Sequence, residues 1–185
     1  QRQMCIRDRC RPVQMFNEYL HDGYYPFFTG NREDYYINIE NIVNLILEQE
    51  MPLLCGVDPA YIRKLKALLS ILASSVPYEV DITKLAGTIG LTRNSVITYL
   101  QNLDRAKLLK LLYSDLTSVK KMQKPDKIYL QNPNLLYAIA STSVQIGTAR
   151  ETFAISQLSV NHEIEYGKTQ GDFVVDHKYT FEAVS

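Results

Sequence analysis

The sequence predicts a mainly α protein with α+β parts, and three observations carry that prediction. Apolar residues recur at helical spacing through residues 37–76. Two short helical patterns meet at a glycine in ITKLAGTIGLTRNSVITYL, residues 82–100. Strand-like runs rich in Leu, Ile and Tyr follow at 108–132 and again from Glu163 onward.

FNEYLHDGYYPFF (16–28) begins as a helix that breaks at Gly23, and its aromatic residues crowd around Pro26 as a turn wedged into a core. In 37–51, Ile39, Ile42, Val43, Ile46 and Leu47 define an amphipathic helix. Cys55–Pro59 is a turn, and the helix over 60–76 gathers Ile62, Leu65, Leu69, Leu72 and Val76 on one face. Asp81 or Thr83 caps a helix running to about Ile89, Gly90 ends it, and Thr92 caps a helix to about Arg105.

LLKLLYS (108–114) and DKIYLQN (126–132) are then the strands of a hairpin with a lysine-bearing linker between them. Three helices followed by a two-stranded hairpin is the element order of a winged helix-turn-helix. Asn132-Pro133 opens a short helix to about Ser141, and a further helix begins at Thr148. The last runs, EIEYGK, GDFVVD and KYTFE, read as the start of a truncated α/β unit.

The expected organisation is therefore a leader foreign to the fold (1–12), a helical linker or lid segment (13–57), a winged helix (58–131) and a partial C-terminal domain (132–185). QRQMCIRDR resembles translated adapter read-through, and both ends of the chain read as cut.

Hydrophobic residues are 46% and charged residues 22%, which excludes a disordered chain. The net charge is zero but unevenly placed. Residues 61–131 hold twelve Lys/Arg against five Asp/Glu, while 10–60 hold two against eight and 132–185 three against six. A basic middle suits a polyanion, or neutralisation by its own acidic flanks. Cys5, Cys10 and Cys55 show no metal-binding or disulfide spacing, and isolated thiols fit a reducing cytoplasm. No apolar run approaches a membrane span.

Leu85, Ile89, Leu91, Val96 and Tyr99 occupy the positions where two steeply crossing helices pack, with Ala86 small at the crossing. Arg93, Asn94, Thr98, Gln101 and Asn102 then point away from that packing. Such residue types suit a major groove, Arg reading guanine and Asn or Gln reading adenine. Lys120, Lys121 and Lys124 on the wing suit phosphates. The same surface on a solvated helix also serves protein contacts.

YGKTQ (166–170) contains Gly-Lys-Thr, but His162 stands where a phosphate loop needs its first glycine, so no nucleotide loop is expected. Glu151, Asp172 and Glu182 follow the acidic order of restriction-endonuclease-like Mg²⁺ sites. Val184 occupies the position of the lysine that such chemistry wants, and Thr148–Glu151 also reads as a capping box. No catalytic or metal-binding role is assigned to these three. His21, His162 and His177 stand in no constellation and read as surface residues.

EYLHDGYYPFF, PYEVDITKLAGTIGLTRNSVITYLQNLDRAKLL, KPDKIYLQNPNLLYAI, IGTARETF and GDFVVDHKYTFE occur in an order that resembles the C-terminal part of prokaryotic AAA-family ATPases. The resemblance covers about residues 13–182. It implies a parent with an N-terminal P-loop core, a winged helix, and a C-terminal restriction-endonuclease-like domain of unknown function. This chain would then lack the P-loop core, hold no cofactor of its own and hydrolyse no ATP, with ATP and Mg²⁺ belonging to the parent. In that family Glu151, Asp172 and Glu182 sit at acidic positions, and the chain departs from its pattern at Ala183.

The function expected on this basis is recognition of double-stranded DNA or a protein partner, in concert with the missing ATPase domain, in the cytoplasm and away from membranes. Two alternatives stand beside it: a stand-alone winged-helix DNA-binding regulator, and a metal-dependent nuclease-like domain.

Overall fold

The computed structural model describes residues 11–75, 78–79, 81–114, 124–167 and 171–182. Helices dominate, joined by two small antiparallel sheets. Helix α1 (Pro12–Asp22) carries proline at its first turn and ends at Gly23, whose amide donates to the Tyr19 carbonyl. Helix α2 (Arg32–Leu45) begins earlier than the apolar spacing indicated, because the Asn31 side chain accepts from the Glu33 amide and caps it.

A π-helical turn, Ile46–Glu50, joins α2 to α3 (Met51–Cys55). Its buried residues explain the turn. Tyr35, Ile39, Val43, Leu47 and Met51 recur every four residues, a spacing that drifts around a 3.6-residue helix. One wider turn takes back that drift and returns Met51 to the core. Ile42, expected on the apolar face, is instead 43% exposed because the buried stripe follows the four-residue spacing.

A 3₁₀ turn at Pro59–Tyr61 leads into α4 (Ile62–Ala73), which buries Ile62, Leu65, Leu68, Leu69, Leu72 and Ala73. Val76, expected on the same face, lies outside the described residues. Next come β1 (Tyr78–Glu79), α5 (Ile82–Ile89), α6 (Arg93–Arg105), β2 (Leu109–Leu112) and β3 (Lys127–Leu130). The strands form a sheet in the order β1-β3-β2, antiparallel throughout. The short β1 carries too few residues to show a strand pattern and was not anticipated.

Helix α7 (Pro133–Ile139) is capped by Asn132, which accepts from the Leu135 amide at 2.8 Å. Leu135 and Leu136 join the core shared by α2, α4, α5, α6 and one face of the first sheet. Helix α8 (Ile146–Leu158) and the meander β4 (Ile164–Tyr166), β5 (Phe173–Val175) and β6 (Tyr179–Phe181) follow. The second sheet has the order β4-β5-β6. Helix α8 starts two residues before Thr148, with Gln145 at the cap and no side-chain cap bond, so the expected capping box is not formed.

Strand β3 is buried at every position. Ile128 and Leu130 face the helical core. Tyr129 faces the other way, into a second, smaller core with Leu112, Ile155, Ile164, Phe173 and Val175. The hairpin is thus sandwiched between the helical unit on one side and α8, β4 and β5 on the other.

Candidate nucleic-acid interface and a buried charge cluster

The α5–α6 corner is assembled by local chemistry. Asp81 accepts from the Thr83 and Lys84 amides, each at 3.0 Å, and so is the cap of α5. Gly90 adopts φ 68°, ψ 48°, the left-handed conformation that reverses the chain. Thr92 then caps α6 by accepting from the Ser95 amide at 3.1 Å. The Lys64 ammonium donates to the Gly90 carbonyl at 2.6 Å, pinning the start of α4 against the corner.

Helix α6 turns Val96, Leu100 and Leu103 inward and leaves Arg93, Asn94 and Thr98 exposed, with Gln101 half-buried. Asn94, Thr98 and Gln101 lie together on the outward side of the helix, and Arg93 is exposed at its first position. Asn102 departs from expectation: it is buried, because α6 packs on α5 and on β2 at once and its covered arc is wide. Of the three lysines expected to meet phosphates, Lys124 is exposed, while Lys120 and Lys121 lie outside the described residues. Asp104, near the end of α6, has its carboxyl held above the usual range by burial. The Leu111 amide, which it accepts at 3.2 Å, and Lys110 and Lys107 offset part of that shift.

A second group of polar side chains meets on the opposite side of the hairpin. Glu151 on α8 is 7% exposed and accepts from the Lys127 ammonium at 3.2 Å and from the Tyr129 hydroxyl. Asp172 lies 3.8 Å from the same ammonium. The rings of Tyr129 and Tyr166 flank Lys127 at 5.5 and 5.6 Å. Burial raises the Tyr129 phenol far above its usual range, and the neighbouring Glu151 charge adds to it.

The structure therefore brings Glu151 and Asp172 together, as the acidic pattern indicated, but around a lysine. Glu182 is exposed just after β6, and position 184 lies outside the described residues. Lys127 places an ammonium within 3.2 Å of Glu151 and 3.8 Å of Asp172 and offsets one of their two charges, so a cation already stands where a divalent ion would be held. Among the described residues no group of three or more His, Cys, Asp or Glu is placed to hold a metal ion.

Sequence reasoning missed Lys127 and Tyr129. They lie more than twenty residues from Glu151 and sit in a strand read only for its apolar character.

Gly167 closes β4, and the Gly-Lys-Thr segment lies between β4 and β5, so its glycine precedes a strand rather than a helix. Residues 168–170 are outside the described residues. His162 contacts Asp176 at 2.6 Å and His177 contacts Glu165 at 2.7 Å, both on the surface. His21 is instead half-buried, stacked on Tyr137 at 3.9 Å. Its pKa is lowered by burial first and by Arg32 second, with Asp22 opposing. Among the described residues no helix is long and apolar enough to cross a membrane.

Comparison with known proteins adds one finding. No curated protein and no solved structure matches the chain. A family described as "Domain of unknown function (DUF8612)" matches residues 13–145, from α1 to the residue before α8. That is well over half of the chain and takes in the α5–α6 corner and the hairpin, so the protein belongs to the DUF8612 family.

Proposed function

We propose that α4 to β3 forms a winged helix that docks on double-stranded DNA through α6, as the recognition part of an AAA-type ATP-hydrolysing protein. The observation that carries the DNA reading is the outward face of α6, where Arg93, Asn94 and Thr98 are exposed while Val96, Leu100 and Leu103 are buried. The order α4-β1-α5-α6-β2-β3 and the sheet order β1-β3-β2 support the winged-helix reading. The link to an ATPase rests on the sequence resemblance alone, and ATP and Mg²⁺ would belong to the parent's own nucleotide site.

In this reading Arg93 and Gln101 reach base edges, and exposed lysines such as Lys124 contact phosphates. The test is a fluorescence-anisotropy titration of labelled duplex pools at several salt concentrations. Wild-type protein should bind with salt-sensitive affinity, and the double variant Arg93→Ala, Gln101→Ala should lose sequence preference. Binding and preference unchanged in that variant would sink the proposal.

A protein contact is the second reading, favoured by the end of α3, where Leu53 is 84% and Leu54 74% exposed. Leu53→Asp with Leu54→Asp should then release a partner while leaving DNA binding intact, and a pull-down from the native host reads the difference.

A further inference from the structure

We propose that residues 146–167 and 171–182 are a cover over the back of the β2–β3 hairpin that opens as a unit of its own, with Lys127 as its key.

Three observations place the cover. The second core is small: Leu112 and Tyr129 from the hairpin meet Ile155 from α8 and Ile164, Phe173 and Val175 from the second sheet. The Tyr166 amide donates to the Tyr113 carbonyl at 2.9 Å, joining the edge of one sheet to the end of the other. Lys127 reaches from β3 to Glu151 on α8 and Asp172 before β5, so both parts of the cover hold the same ammonium.

The cover is built differently from what it covers. The helical core is continuous from Tyr35 to Ala138 and almost wholly aliphatic and aromatic. The buried residues of α8 are Ala149, Glu151, Thr152, Ile155 and Ser156, only one of them a large apolar side chain. The Thr152 and Ser156 hydroxyls have no hydrogen-bond partner among the described residues. Phe153 adds edge-on contacts to Phe16 and Tyr19 of α1 at 5.0 and 5.8 Å, but few fully buried apolar side chains and unsatisfied polar atoms mark a segment of lower local stability than the helical core. Its attachment consequently depends on the charge cluster to an extent the helical core does not.

A buried ion pair fixes geometry more than it adds stability, and removing Glu151 leaves the Lys127 ammonium with only the more distant Asp172, at 3.8 Å. Glu151 is the residue to change, because glutamine keeps an oxygen to accept from the Tyr129 hydroxyl while removing the charge that faces Lys127. Opening would bare Leu112, Tyr129 and Lys127, a strip of the hairpin that the closed form hides. The matched family segment ends at residue 145, immediately before α8, so the cover lies outside it.

The test is native-state amide hydrogen exchange, read by mass spectrometry on the full chain and on Glu151→Gln, Lys127→Met and the double variant. In Glu151→Gln, amides of α8, β4 and β5 should exchange about 100-fold faster, while those of α2, α4, α5 and α6 stay within about twofold. The double variant removes the buried Glu151 charge and the ammonium together and leaves only Asp172, whose side chain is 30% exposed, so it should return the cover towards wild-type protection. Acceleration shared equally by all helices, including complete unfolding of Glu151→Gln, would show one cooperative unit and overturn the proposal. So would unchanged exchange in Glu151→Gln, or a double variant as open as the single one.

Discussion

At the scale of single residues, Asn134 shows how one polar side chain organises an apolar region. It is fully buried on α7. Its oxygen accepts from the Tyr24 amide at 2.7 Å and the Tyr35 hydroxyl at 2.8 Å, and its nitrogen donates to the Leu20 carbonyl at 2.7 Å. Asn134→Ala strands all of these groups and should cost about 3 kcal/mol, read from urea unfolding.

Buried tyrosines, Tyr35 beside Asn134 among them, set an alkaline limit. Burial pushes Tyr35, Tyr36 and Tyr113 up to about 12, from an ordinary value near 10. Their contribution to stability is complete below pH 10 and is lost as pH rises through about 12. Absorbance at 295 nm should show these phenols ionising together with unfolding, after the exposed tyrosines. The YYPFF cluster was legible as a core wedge from its composition. The role of Asn134 was not, since a hydrogen bond to Tyr35 spans 99 residues of sequence.

At the scale of elements, what was legible is what local chemistry decides. The α5–α6 corner was readable because its caps and its glycine lie within a dozen residues and act on their nearest neighbours. Gly90 shows this in energy. A Cβ there would meet nothing closer than the Lys64 ammonium at 3.8 Å, so the cost of Gly90→Ala is conformational and not steric. It should be about 1 kcal/mol, and Thr92→Ala, which removes the α6 cap, should cost about as much. A thermal melt of each variant, with Gly87→Ala as a helical control, separates the two effects.

Strand β1 is too short to show a strand pattern. The buried Asn102 was hidden for the reason opposite to the corner's, since α5 and β2 cover α6 from two sides at once. The same holds for the charge cluster, where Glu151 and Asp172 were selected on acidic order but their partner comes from β3.

At the scale of the whole molecule, the uneven charge acquires a meaning that the sequence left open. Part of the basic middle is neutralised internally: Lys66 donates to Glu48 at 2.5 Å, and Lys127 is held by Glu151 and Asp172. Arg93 stays exposed on the outward face of α6. If α6 meets DNA as proposed, the cations that act on phosphates are exposed ones near its outward face, such as Lys124. Each phosphate contact contributes a slope of about −0.9 in a plot of log affinity against log salt. Lys66→Ala should leave that slope unchanged, because its charge is balanced by Glu48 with or without DNA. Arg93→Ala should lower both affinity and sequence preference, with the slope reduced by up to about 1 if Arg93 also touches a phosphate. Lys124→Ala should weaken binding to all sequences alike. A Lys66 variant with the larger slope change would mean that the polyanion approaches from α4 instead of α6. The recognition face would then have to be sought between α3 and the start of α4.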